Sequence, residues 1–109
     1  MGQSRVFFEP LRSLAFGGIS GSYASVGTPT THPVRMVKII NNTEGDMFVT
    51  TDTSRDEMFL PASCHTIYDF QSNINPRTDD SFVLEVGTQF SVKQSTAPVS
   101  GSVYIECIF

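Results

Sequence analysis

The strongest constraint on the fold lies in the last quarter of the chain, where apolar side chains recur at every second position. Phe82, Leu84 and Val86, then Phe90 and Val92, then Val103, Ile105 and Cys107 follow this rhythm, cut only by Gly87 and by the turn-rich segment 95–101. A period of two sends alternate side chains to opposite faces of an extended chain, whereas a helix needs spacings of three and four. The run from Ser81 to Phe109 therefore predicts antiparallel sheet, and that sheet closes the protein. Val103, Ile105 and Cys107 are expected in the core. Tyr104, Glu106 and Ile108 form a second face that is partly apolar, where a free-standing sandwich keeps its outer face polar.

The same grammar runs upstream. Val37, Ile39 and Ile40 mark a strand over 34–41, closed by the turn-forming cluster 41–45, and 47–51 returns from it, so the pair reads as a hairpin. Met58, Phe59 and Leu60 predict a further strand ending at Pro61. In the next one, Cys64, Thr66, Tyr68 and Phe70 alternate with His65, Ile67 and Asp69. A short strand over 22–26 sits among Gly17, Gly18, Gly21 and Gly27, followed by a loop at 28–33 with two prolines, and 71–80 is a long polar loop around Pro76. No helix is expected. Around eight short strands separated by regular turn signals give an all-β fold, an antiparallel β-sandwich or jelly-roll-like domain.

At the amino end Phe7, Phe8, Leu11, Leu14 and Phe16 surround Pro10, whose ring and missing N–H break any helix there. The chain divides into an extended arm, 1–12, and a single β-sandwich domain, 13–109. Such an arm packs on its own sandwich or reaches a neighbour, and an exposed aromatic arm is an assembly contact. The expected partner-binding residues are Arg5, Phe7, Phe8 and Leu11 on the arm and Tyr104, Glu106 and Ile108 on the last strand.

With 109 residues the chain has room for one core and no second domain. Its net charge of −4 and scattered basic residues argue against direct nucleic-acid binding, which depends on clustered Lys and Arg. No apolar stretch is long enough to span a bilayer and no leader pattern opens the chain, so no membrane role is expected. The two cysteines, Cys64 and Cys107, are expected to be free and buried in a reducing compartment.

Several patterns resemble catalytic or metal motifs and fail on inspection. Asp52, Ser54 and Asp56 have the spacing of a calcium loop, but its sixth position holds Glu57 in place of Gly and its twelfth holds Ser63 in place of Glu. Cys64 and His65 are adjacent on a strand, so they point to opposite faces and cannot act as nucleophile and base. The segment 17–21 lacks the Gly-Lys-Ser/Thr ending of a phosphate loop and the Gly-x-Ser-x-Gly frame of a nucleophile elbow. Asp79, Asp80, Glu85 and Glu106 have no spacing that joins two of them across one glycosidic bond. No catalytic residue, cofactor or metal is expected, and the protein is read as a non-enzyme.

The stretch 39–52, the segments Phe59-Leu60-Pro61-Ala62 and Tyr68-Asp69-Phe70-Gln71-Ser72-Asn73, and the closing 87–94 and 101–106 resemble small virion proteins of tailed bacteriophages. The likeness spans 11–109 and lies in turn and strand grammar. It implies a virion structural protein made in the host bacterial cytoplasm. The role implied first is capsid decoration (cement), bridging and stabilising capsid subunits, and the second is a head-tail connector, adaptor or tail component. The implied partners are the major capsid protein or portal and tail proteins, with the chain itself a homo-oligomer on the particle. Deleting 2–10 is then expected to leave a folded domain that binds particles poorly.

A competing class is a carbohydrate- or receptor-binding module that presents the loops 28–33 and 71–80. Such sites use Trp or Tyr as a flat platform. Trp is absent, and Tyr23, Tyr68 and Tyr104 fall within predicted strands.

Overall fold

The structure, a computed structural model, describes residues 7–70 and 84–109. Among the described residues there are eight strands: β1 (Arg12–Ala15), β2 (Ala24–Ser25), β3 (Met36–Thr43), β4 (Met47–Thr50), β5 (Met58–Leu60), β6 (His65–Asp69), β7 (Ser91–Gln94) and β8 (Gly101–Ile108). They form two four-stranded antiparallel sheets, ordered β1-β8-β3-β6 and β2-β7-β4-β5. The all-β sandwich expected from the alternation is what forms.

The pair β3–β8 is its spine, running in register from Met36 opposite Ile108 to Thr43 opposite Gly101. Burial alternates along both strands, so Val37 and Ile39 meet Cys107 and Ile105 on the inner face. The second sheet supplies Met47, Val49, Leu60 and Val92, and Phe90 fills the core beside them. Each such side chain contributes about 1.5–3 kcal/mol by leaving water.

Two expected local pairings do not form. β3 and β4 are not a hairpin, because they lie in different sheets, and the two closing runs, β7 and β8, are divided between the sheets as well. Asn41 explains the first crossing. Expected in a turn, it is a buried residue of β3, and its Nδ2 donates to the carbonyls of Gly45 (2.8 Å), Leu60 (3.2 Å) and Pro61 (3.1 Å). Its Oδ1 accepts from the Thr43 amide (3.2 Å) and hydroxyl (2.6 Å). One amide thus ties the end of the first sheet to the corner at Gly45 and to β5 of the second. The second crossing, 95–100, docks on the first: Asp46 O accepts from the amides of Ser95 and Thr96, and the Glu44 carboxylate accepts from Val99 N, Ser100 N and Ser100 Oγ.

Further differences are local. The expected strand at 82–86 is reduced to an isolated bridge between Leu84 and Val34, with 81–83 outside the described residues and Val86 exposed. The polar loop 71–80 also lies outside them. A single 3-10 turn, Phe16–Gly18, follows β1 where no helix was expected. Tyr23 precedes β2 and is not part of it. Cys64, expected to be buried, is exposed at the tight turn before β6, whereas Cys107 is a buried free thiol whose pKa burial raises.

Candidate interaction surfaces

The chain before β1 is extended and hydrogen-bonded along the free edge of β8. Phe7 exchanges both backbone hydrogen bonds with Phe109 (2.9 and 2.8 Å), Phe8 faces Ile108, and Glu9 N donates to Cys107 O (3.0 Å). Arg12, assigned to the arm by the sequence, is instead the first residue of β1 and faces Ile105. From Phe8 to Arg12 the edge strand therefore takes one residue more than β8 takes from Ile108 to Ile105. That surplus is a β-bulge at Pro10 and Leu11. Strict alternation would place Glu9 and Arg12 on opposite faces, and the bulge brings both onto the core side.

There they form a buried ion pair, Arg12 NH2 to Glu9 Oε1 at 2.6 Å, with the Glu9 side chain fully enclosed. Arg12 also donates to the carbonyls of Thr28 (2.7 Å), Pro29 (3.1 Å) and Pro10 (3.3 Å). Glu9 Oε2 accepts from the amides of His32 (2.9 Å) and Thr31 (3.2 Å) and meets His32 Nδ1 at 3.1 Å. The His32 ring stacks on Phe109 at 3.6 Å between centroids, and Phe109 stacks on Phe7. Loop 28–33 is thereby clamped to the edge strand. Sequence reasoning passed over this cluster. Its one visible signal was a pair of opposite charges three residues apart within an apolar, proline-containing stretch.

The deletion of 2–10 consequently has a different expected outcome. It removes Glu9 and strands a buried guanidinium, so loss of particle binding by that variant is indistinguishable from loss of the fold.

Burial by itself pushes the Glu9 carboxyl up, but the hydrogen bonds from Arg12 and His32, with the charge of Arg12, outweigh it and hold its pKa below the ordinary carboxylate value of 4.5. The folded state then binds this proton less readily than the unfolded one. The stabilisation is complete above the unfolded value and is lost as pH falls through the lower, folded value. Urea midpoints measured from neutral pH down to about pH 3 are expected to fall, and to fall less steeply for Glu9→Gln. Equal slopes for the two proteins would show that Glu9 carries none of the acid sensitivity.

Cross-strand partners share a face, which locates the other expected residues. Tyr104, Glu106 and Ile108 lie on the outer face of the first sheet, and Phe8 joins them opposite Ile108. Leu11 sits at the bulge beside Glu106. Phe7 is on the other face, against Phe109, and Arg5 lies outside the described residues. The face is completed by residues that the sequence did not single out as contacts: Met36, Lys38 and Ile40 of β3, His65, Ile67 and Asp69 of β6, and Ser13 of β1. Phe8, Leu11 and Ile67 are 70%, 59% and 54% exposed, Ser13, His65 and Asp69 are exposed as well, and the residues of β3 and β8 are half-buried. The face is mainly apolar, with Lys38 directly opposite Glu106 near its middle and His65 and Asp69 on its β6 edge.

The second sheet carries a smaller outer cluster. Phe59 is exposed and meets Phe48 edge-on at 5.3 Å. Beside them Asp56 accepts from Tyr23 OH (2.5 Å) and pairs with Lys93 (2.9 Å), whose ammonium lies 4.8 Å from the Tyr23 ring centre. Burial, with Asp56 adding to it, raises the Tyr23 pKa and keeps the phenol protonated, while the hydrogen bonds from Tyr23 and Lys93 lower that of Asp56. Lys93 thus occupies one face of the Tyr23 ring. The neighbouring Asp52 is used internally, accepting from Ser54 N and Oγ at 3.0 and 2.7 Å. Among the described residues no group of three His, Cys, Asp or Glu side chains is placed to hold a metal ion.

Comparison of the chain with protein-family models, with curated proteins and with solved structures gives no match.

Proposed function

We propose that this chain is a non-enzymatic structural protein of a tailed-bacteriophage virion, a decoration protein that bridges and stabilises capsid subunits. A head-tail connector or tail component is the alternative position in the particle. Apolar exposure on more than one side supports the bridging role. Phe8, Leu11 and Ile67 project from one sheet and Phe59 from the other, while Val99 stands 74% exposed on the connection between β7 and β8. A bridge has to touch at least two neighbours, and this molecule offers apolar contacts on both outer faces.

The energetics suit a repeated contact. At about 25 cal/mol per Å2 of apolar area, a few hundred Å2 per contact yields several kcal/mol before association costs. The symmetry of a shell then multiplies a modest contact over many copies.

Co-sedimentation with purified capsids lacking the protein tests the proposal. Wild-type protein is expected to pellet with the shells at saturable stoichiometry, and Phe59→Glu to bind about 10-fold to 100-fold more weakly, the worth of one buried aromatic side chain. Absence of wild-type binding to capsids, connectors and tails alike would overturn it.

A further inference from the structure

We infer that the outer face of the β1-β8-β3-β6 sheet binds the same face of a second copy of this chain, through a twofold axis lying between β3 and β8. This deepens the bridging role by naming the partner on one of the two apolar sides, and it rests on that role only in calling the dimer the working unit.

Lys38 and Glu106 place the axis. They are direct cross-strand partners near the middle of the face, both half-buried, and among the described residues neither takes part in an ion pair. Cross-strand partners of opposite charge attract one another within one copy, but these two side chains do not close into an ion pair there, which leaves both able to pair with a second copy. A twofold axis in the plane of the interface, parallel to the strands and midway between β3 and β8, exchanges each residue of β3 with its partner on β8. Lys38 of one copy then faces Glu106 of the other, and the reciprocal pair forms by symmetry.

The remaining rows agree with the same operation. Ile40 is set against Tyr104 and Met36 against Ile108, since these are the cross-strand pairs on either side of the charged row. The flanking strands exchange as well, setting Ile67 of β6 against Leu11 at the bulge. Within these rows apolar residues meet apolar ones and Lys38 meets Glu106, whereas the outermost row sets Asp69 of β6 against Phe8. Packed sheets cross at about 30°, which tilts the axis about 15° off the strands and displaces outlying rows most, leaving those near the axis matched. A partner with an unrelated surface would have no reason to reproduce this exchange symmetry.

The test is a charge swap read by sedimentation equilibrium in the absence of capsids. Wild-type protein is expected to be a dimer. Lys38→Glu and Glu106→Lys, each alone, set like charges together twice across the axis and are expected to raise the dimer dissociation constant about 100-fold. Mixing the two variants restores both ion pairs in a heterodimer, with affinity expected within about tenfold of wild type. The double variant in one chain should likewise recover the homodimer. Simple loss of structure predicts no rescue on mixing, and circular dichroism of each variant checks the fold directly.

A wild-type monomer at about 100 μM overturns the inference. So does a dimer indifferent to all the swaps, or one that single variants weaken without rescue on mixing. None of these outcomes bears on capsid binding, which Phe59→Glu reads on the opposite sheet.

Discussion

Replacing Glu9 by Ala is expected to lower the unfolding free energy by about 3–5 kcal/mol, the cost of leaving one member of a buried ion pair alone. The substitution removes the counter-ion of Arg12, whose side chain is 5% exposed, and strips the amides of Thr31 and His32 of their acceptor. Against a total stability of about 5–15 kcal/mol, the variant sits near the folding threshold. Urea denaturation at neutral pH checks the figure. A double-mutant cycle with Arg12→Met isolates the pair, and its coupling is expected to reach about 1–3 kcal/mol. Additive single and double variants would mean that Glu9 stabilises through the loop amides alone. A loss below about 1 kcal/mol for Glu9→Ala would mean that water reaches the site and replaces the carboxylate.

Gly101→Ala is expected to cost about 2–5 kcal/mol, combining backbone strain with overpacking at the start of β8. Gly101 has φ of 88°, in the region that side chains disfavour. A Cβ there would also overlap the Asn42 carbonyl oxygen and lie 2.9 Å from its carbon, both of them backbone atoms of the central strand β3. Neither can move without disturbing the β3–β8 ladder. Gly87 supplies the control, because its φ is 87° and a methyl group added to it would meet nothing within 4 Å. Gly87→Ala should therefore show the strain alone, about 1–3 kcal/mol, and the difference between the variants measures the clash. Equal midpoint shifts in urea would show that the ladder yields at Asn42 to admit a methyl group.

These positions also show which parts of the molecule are legible in the chain. The alternation at Val103, Ile105 and Cys107 located β8 and its buried face, and the imperfect alternation of Tyr104, Glu106 and Ile108 located the outer one. Met58, Phe59 and Leu60 marked β5 because a short apolar run between turn signals has few other outcomes. What failed was partnership. Asn41, Asn42 and Thr43 have the composition of a tight turn, and a tight turn predicts a hairpin. The side chain of Asn41 instead finds three backbone carbonyls in the interior, and the chain continues as strand before it crosses between the sheets.

The Glu9–Arg12 pair was hidden for a related reason. Period-two reasoning assigns a charged residue in a strand to the solvent face, and a single inserted residue reverses that assignment for everything before it. The bulge leaves no composition signal beyond Pro10. The candidate dimer face was half visible: the β8 residues and Phe8 were readable as unusual, but Lys38 and Ile67 became their neighbours only once β3 and β6 were placed.

By itself the sequence determined the fold class, the approximate strands, and the inward-turned side chains of β8, because these follow from local periodicity and the preference of turn residues for particular backbone conformations. The tertiary structure alone decided which strands pair, where the register shifts, and so which charges are buried and which lie together on an outer face. Those outcomes depend on contacts between residues far apart in the chain, as Lys38 and Glu106 are, and on a bulge whose consequences are felt only across a sheet.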